Sequence, residues 1–146
     1  VPCTRPTWYN TCWSLAPCGI ALVDVEKQAA YWSTGSAEDF AAAMSLLQSQ
    51  HPRHALFFAH LAVEKALKAH VTRATTDVPP RIHDLLRLAD LAGLPPAADR
   101  REFLARFQQY CLAGRYPDFG PPEPTTAEAT EALTQVREVL AWLQSL

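Results

Sequence analysis

A helical stretch at residues 53–73 places the strongest constraint on the fold of this chain. One line of this stretch is polar, because His60, Glu64 and Lys68 follow one another at four-residue spacing and therefore point the same way. Lys65 lies beside that line. The other positions are largely apolar and predict a central helix that is packed on most sides; they include Ala55, Leu56, Phe57, Phe58, Ala59, Leu61, Ala62, Val63, Ala66 and Leu67.

The polar line allows two interpretations. It could border a polar groove in a helical bundle, or an edge that faces a partner. It could equally be the solvated face of an amphipathic helix, on which Glu64 and Lys68 form an i,i+4 pair that contributes about 0.2–0.5 kcal/mol. The line alone therefore defines no function.

The segments on either side of this stretch also have helical patterns. Residues 36–39 (Ser-Ala-Glu-Asp) resemble a capping box with Asp in place of Glu, which predicts that a first helix begins there and ends near Gln50. Pro52 suits the first turn of the second helix. Asp84 is expected to cap a short third helix that Gly93 ends.

A fourth helix is predicted from the Pro95-Pro96 pair to Gly114, and its apolar stripe includes Cys111, which is expected to pack as a small hydrophobic side chain. Residues 125–128 (Thr-Thr-Ala-Glu) form a capping box that starts the last helix. No strong strand pattern follows Ala30. The predicted fold class is all-α, an up-and-down helical bundle of four long helices plus one short helix.

Composition limits the possible functions only loosely. The chain has 146 residues, enough for one domain, and its formal net charge of −2 creates no strong field that would attract nucleic acid or an anionic membrane. No apolar run is long enough to span a bilayer, so no membrane association is expected. Cys3, Cys12 and Cys18 lack zinc-ligand spacing, and we expect neither a metal nor a cofactor.

The first 30 residues differ from the rest, since they contain three prolines, three cysteines and a possible short strand at residues 19–25. They lack the basic start and apolar stretch of a secretory signal peptide. We therefore expect residues 1–30 to be an appendage, either poorly ordered or not native to the protein, and residues 31–146 to be the folded domain, located in the cytoplasm.

Residues 31–146 resemble the HEPN domain, a small prokaryotic helical domain often encoded beside a minimal nucleotidyltransferase. Each matching group of residues is weak alone, but together, in this order and at this spacing, they are fairly specific. The groups are Tyr31-Trp32, residues 37–40 (AEDF), residues 55–60 (ALFFAH), residues 62–69 (AVEKALKA), His83-Asp84-Leu85 and residues 115–118 (RYPD).

The resemblance implies a bundle that commonly dimerises and that binds or acts on nucleotides or RNA. Many HEPN proteins cut RNA without a metal, using an Arg that is followed after four to six residues by a His near the start of a late helix. This chain departs from that pattern, because no His follows Arg115. Arg53 and His60 have the spacing, but they lie at the start of the second helix. The departure argues against ribonuclease activity.

Metal-free RNA cleavage needs a general base and a cation, roles that His83, His60, Arg115 and Lys68 could fill. Arg115 beside Tyr116 could bind phosphate and stack on a base, or it could pair with Asp118 within its loop. The alternative for His83 is a purely structural role at the start of the third helix. The candidate ligand-binding residues are Arg115, Tyr116, Asp118, His83, His60, Glu64, Lys65 and Lys68. We expect the Arg115 loop and the polar line of the second helix to border one cleft.

Three functions follow from the resemblance. The first is a homodimeric nucleotide- or RNA-binding module, the partner of a minimal nucleotidyltransferase in a toxin–antitoxin-type system. The alternative is a divergent metal-independent endoribonuclease toxin. The third is a structural helical dimer that has lost its ligand.

Overall fold

The computed structural model describes residues 23–113, 116 and 122–146. All regular secondary structure in this part of the chain is helical, which confirms the all-α fold class. The helices are α1 (Val25–Gln48), α2 (Pro52–Thr75), α3 (Leu85–Leu91), α4 (Ala98–Phe107), α5 (Gln109–Ala113) and α6 (Thr126–Gln144).

The central element is α2, which contacts α1, α3, α5 and α6. It contributes Leu56, Val63 and Leu67 to the core, and none of these side chains is exposed. A short connection at residues 49–51 joins α1 to α2, and the two helices pack along each other. The prediction of a buried central helix is therefore confirmed, and its observed bounds extend the predicted stretch by a turn or less.

The first helix begins earlier than expected. Asp24 caps α1, because its carboxylate accepts a hydrogen bond of 3.0 Å from the backbone N–H of Lys27. Ser36 therefore lies inside the helix, where it is buried and its hydroxyl donates to the carbonyl of Ala62 at 2.7 Å. The predicted capping box at residues 36–39 is wrong, since Ser36 and Asp39 make contacts with α2 inside the helix rather than starting it.

Because α1 starts early, the last residues of the predicted N-terminal appendage belong to this helix. Residues 25–30 form the first turns of the helix, and Ala29 is completely buried. Val25 is helical, so the predicted short strand at residues 19–25 is wrong at its end. Residues 1–22, which include Cys3, Cys12 and Cys18, lie outside the described part of the chain.

Other local predictions agree with the structure. Asp84 caps α3 through the backbone N–H of Arg87 at 3.0 Å, and Gly93 ends that helix with a positive φ of 68°. The capping box of α6 is complete, because Thr125 and Glu128 bond each other's backbone N–H groups. Cys111 is buried as expected.

The predicted fourth helix is divided at Gln108 into α4 and α5. Gln108 makes tertiary hydrogen bonds to His83, just before α3, and to Leu85, the first residue of α3, a constraint that no periodic pattern reveals. Among the described residues, no helix combines the length and hydropathy that crossing a bilayer would require.

Candidate functional site

A buried carboxylate, that of Glu64 in α2, is the centre of a polar cluster. Its side chain is 5% exposed, and one oxygen forms an ion pair with Nζ of Lys68 at 2.8 Å. Nδ1 of His83 lies 3.1 Å from that oxygen and 3.0 Å from the other. Nδ1 of His60 lies 3.9 Å from the same carboxylate. We call these four residues the Glu64 cluster.

Helical geometry assembles three of the four members. His60, Glu64 and Lys68 are successive i,i+4 neighbours and so form one line on α2, as the spacing predicts. That line is buried, since His60, Glu64 and Lys68 are 0%, 4% and 6% exposed. The interpretation of the line as a solvated face is therefore wrong, and the polar stripe lies within the bundle.

The fourth member, His83, comes from the loop that leads into α3. Its backbone carbonyl accepts a hydrogen bond of 2.9 Å from the side-chain amide of Gln108, and the amide oxygen accepts one of 3.0 Å from the N–H of Leu85. Gln108 thus holds both ends of the turn, while Asp84 caps α3. The interpretation that His83 only arranges the helix start is wrong, because its ring bonds Glu64 instead.

Lys68 has an aromatic neighbour on α1. Its Nζ lies 5.2 Å from the centroid of the Trp32 ring, within the range of a cation–π contact. The indole N–H of Trp32 is buried and has no hydrogen-bond partner among the described residues. The positive charge of Lys68 is therefore compensated on two sides, by the Glu64 carboxylate and by the Trp32 ring.

His60 belongs to the core rather than to an accessible surface. Its side chain is fully buried, and its ring is stacked on Phe107, with centroids 6.1 Å apart and planes 28° from parallel. A ligand cannot reach it without opening the bundle. Of the two candidate histidines in the cluster, only His83, whose side chain is 45% exposed, can meet a ligand directly.

Lys65 does not join the Glu64 cluster. Its ammonium pairs with the carboxylate of Asp39 on α1 at 2.7 Å, and its side chain is 30% exposed. The aliphatic part of Lys65 lies against Gly35, where a Cβ atom would be only 3.1 Å from Lys65 Cδ. This predicted site residue therefore fastens α1 to α2.

The last group of candidates comes from the loop after α5. Arg115 and Asp118 lie outside the described residues. Tyr116 is 55% exposed, and its backbone N–H donates to the carbonyl of Leu112 at 2.9 Å. The expectation that this loop and the polar line of α2 border one cleft stays a prediction.

Sequence reasoning did not identify two residues that shape the cluster. Trp32 carries no pattern beyond its place in the family resemblance, and Gln108 lies within a helical run that predicted no break. Both act through contacts distant in sequence, with Lys68 and with His83 respectively. Spacing along a single helix could reveal only His60, Glu64 and Lys68.

Comparisons with known proteins agree with this architecture. The HEPN domain family matches residues 29–146, and the chain belongs to that family. Membership makes it a nucleotide- or RNA-related module at the level of the family. No curated protein matches the chain. A solved structure, the crystal structure of TT1696 from Thermus thermophilus, is similar at 30% identity and a TM-score of 0.68, covering 81% of this chain and 97% of that one.

Proposed function

We propose that this HEPN protein is a homodimeric nucleotide- or RNA-binding module of the cytoplasm, the partner of a minimal nucleotidyltransferase in a toxin–antitoxin-type system. The observation that carries the proposal is the Glu64 cluster, a set of buried charges that reaches solvent through His83. A buried ion pair is commonly no more stable than apolar side chains of the same volume. Its presence in a core helix therefore favours a role in binding, where such polar groups concentrate.

The proposed ligand contacts come from two segments. His83 offers an exposed imidazole beside the cluster, and Arg115 with Tyr116 would supply a cation for phosphate and a ring for stacking. Lys65 and Asp118 are proposed as further ligand contacts. Phosphate contacts release counterions, so binding should weaken as salt is raised.

A second function, that of a metal-independent endoribonuclease, rests on the contact between His83 and Glu64. An imidazole held by a carboxylate can act as a general base on a ribose hydroxyl. Arg115 would then stabilise the charge that develops on the phosphate. The chain lacks the late His of HEPN ribonucleases, so binding without cleavage is the preferred proposal.

The test of binding is a titration of labelled single-stranded RNA and of ATP at two salt concentrations, with chelator present. Replacing Arg115 by Ala should weaken binding by roughly 1–3 kcal/mol, as the loss of a charge-assisted contact does. The matched control is Arg101→Ala, because Arg101 is exposed and lies beside Asp90 at the end of α3. No binding to either ligand would refute the proposal, and cleavage of the RNA would favour the endoribonuclease.

Assembly is tested separately. Light scattering at tens of micromolar should show a two-fold dimer, the commonest closed oligomer. A small nucleotidyltransferase encoded beside this protein should co-purify with it. A monomer at that concentration would contradict the homodimer, and a neighbouring nucleotidyltransferase that does not bind would contradict the proposed partnership.

A further inference from the structure

The contact between Glu64 and His83 determines which ring nitrogen carries the proton. Both carboxylate oxygens lie within 3.1 Å of Nδ1. Glu64 is also paired with Lys68 at 2.8 Å, and an ionised carboxylate can only accept hydrogen bonds. Nδ1 must therefore be the donor, so that the neutral imidazole of His83 has its unprotonated nitrogen at Nε2.

The backbone around His83 is held as firmly as its ring. The amide of Gln108 bonds the carbonyl of His83 and the N–H of Leu85, at 2.9 Å and 3.0 Å. These bonds fix the backbone position from which the His83 ring reaches Glu64. Among the described residues Nε2 makes no hydrogen bond, although the side chain is 45% exposed. In the neutral imidazole, an acceptor atom is thus held in one direction on a side chain that is partly exposed.

We infer that Glu64 is a positioning residue that keeps Nε2 of His83 as an acceptor for a ribose 2′-hydroxyl, and that the site thereby distinguishes ribose from deoxyribose. The inference rests on the proposed function, since it specifies the ligand group that the same site binds. A neutral Nε2 accepts a hydrogen bond from a hydroxyl, whereas a phosphate oxygen or a 2′-hydrogen offers it no donor. The ribose could belong to RNA or to a free ribonucleotide.

The experiment compares ligands that differ only at the 2′ position. One arm uses a labelled single-stranded RNA and the same sequence with 2′-fluoro riboses, which lack the hydroxyl donor and resist cleavage. The other arm uses ATP and 2′-deoxy-ATP. We expect the 2′-hydroxyl ligand to bind roughly 3- to 10-fold more tightly, the effect of one net hydrogen bond, and the arm with the larger ratio identifies the source of the ribose.

Three variants locate the effect. His83→Asn keeps an amide that can donate to Glu64 but lacks the Nε2 acceptor, so its 2′-hydroxyl preference should fall to about onefold. Glu64→Gln removes the charge that fixes the tautomer and should also lower the preference. Because Glu64→Gln alone leaves the buried charge of Lys68 without its carboxylate, the same comparison is made with the double variant Glu64→Gln/Lys68→Met, which leaves no unpaired charge. Arg101→Ala is the matched control, since Arg101 is exposed and its ion pair with Asp90 involves neither His83 nor Glu64.

A spectroscopic readout separates positioning from a merely structural role. The ¹⁵N shifts of the His83 ring, assigned by their loss in His83→Asn, should report the Nδ1–H tautomer in the wild type and a shift toward Nε2–H in Glu64→Gln. Equal affinity for hydroxyl and fluoro ligands, or an Nε2–H tautomer in the wild type, would overturn this inference alone. Absence of binding to every ligand would instead overturn the proposed function, and this inference with it.

Discussion

At the scale of single residues, Lys65 and Lys68 lie on the same helix but differ in the burial of their ion pairs. Lys68 is 7% exposed and paired with a carboxylate that is 5% exposed, whereas Lys65 is 30% exposed and its partner 13%. A buried pair that loses one partner leaves an uncompensated charge, whereas a more exposed charge is stabilised by water. The two lysines therefore form a matched comparison.

We expect Lys68→Met to lower the free energy of unfolding by about 3–5 kcal/mol and Lys65→Met to lower it by less, because the Lys65–Asp39 pair keeps more contact with water. Urea unfolding followed by circular dichroism measures both. Adding Glu64→Gln to Lys68→Met should recover much of the loss, because no buried charge then lacks a partner. Equal losses in the two single variants would show that the Glu64 pair is not effectively buried.

His70 is a second residue whose environment has a measurable consequence. Burial lowers its pKa from the ordinary value of 6.5, and the nearby charge of Arg73 lowers it further, while a hydrogen bond to the carbonyl of Leu143 raises it in part. The unfolded chain therefore takes up the proton more readily than the folded chain does. The stability that neutral His70 contributes should therefore be fully present above pH 6.5. It should be lost as the pH falls from 6.5 through the lower pKa of the folded state.

The variant that tests this is His70→Gln, whose amide can still donate to the Leu143 carbonyl but does not titrate. We expect its free energy of unfolding to change less than that of the wild type between about pH 7.5 and about pH 5.5. Urea unfolding at the two pH values measures the difference. His51→Gln serves as the control, because His51 is exposed, and the same flattening in that variant would contradict the assignment to His70.

At the scale of elements, Gly35 shows how α1 and α2 fit together. It lies inside α1, where a glycine weakens the helix by roughly 0.5–1 kcal/mol relative to alanine. A Cβ atom there would meet Cδ and Nζ of Lys65 at 3.1 Å and 3.3 Å. The absence of a side chain allows Lys65 to cross α1 and reach Asp39.

We expect Gly35→Ala to stabilise the wild type only slightly, because the gain in helix propensity is offset by displacement of Lys65. In a Lys65→Ala background the same change should stabilise the protein by the full amount of roughly 0.5–1 kcal/mol. The four free energies of unfolding form a double-mutant cycle. An equal gain in both backgrounds would show that Lys65 does not pack against Gly35.

Helix termini show which parts of the elements were predictable from sequence. Thr125 and Glu128 cap each other within four residues, so their pattern alone located the start of α6. Ser36 has a similar pattern and lies inside a helix, because Asp24 already caps α1 twelve residues earlier and Ser36 bonds the backbone of α2. A local pattern fixes a terminus only where no earlier cap allows the helix to continue through it.

The candidate site, too, was predictable from the sequence only in part. The spacing of His60, Glu64 and Lys68 predicted that they share one line, since that follows from helix geometry alone. It did not predict that the line is buried, nor that Trp32 and Gln108 complete its surroundings, because those facts depend on how α1, α3 and α5 pack on α2. Local geometry is readable from one sequence, whereas the partners of a side chain are set by the tertiary fold.

At the scale of the whole molecule, the start of α1 bears on where the folded domain begins. The HEPN match starts at residue 29, whereas α1 starts at Val25 with Asp24 as its cap. Ala29 is completely buried in the bundle. These observations predict that the domain needs residues from Val23 onward, slightly more than the expected 31–146.

Two truncations test that boundary. A chain that begins at Val23 keeps the Asp24 cap and should retain the helical signal and melting temperature of the full chain. A chain that begins at Tyr31 loses the cap, the first turns of α1 and the buried Ala29, and should lose about 2 kcal/mol or more of stability, since a cap alone contributes about 1 kcal/mol. Circular dichroism during thermal and urea unfolding measures both. A comparable loss in the chain that begins at Val23 would show that residues 1–22 pack on the domain, and the predicted appendage would then be wrong.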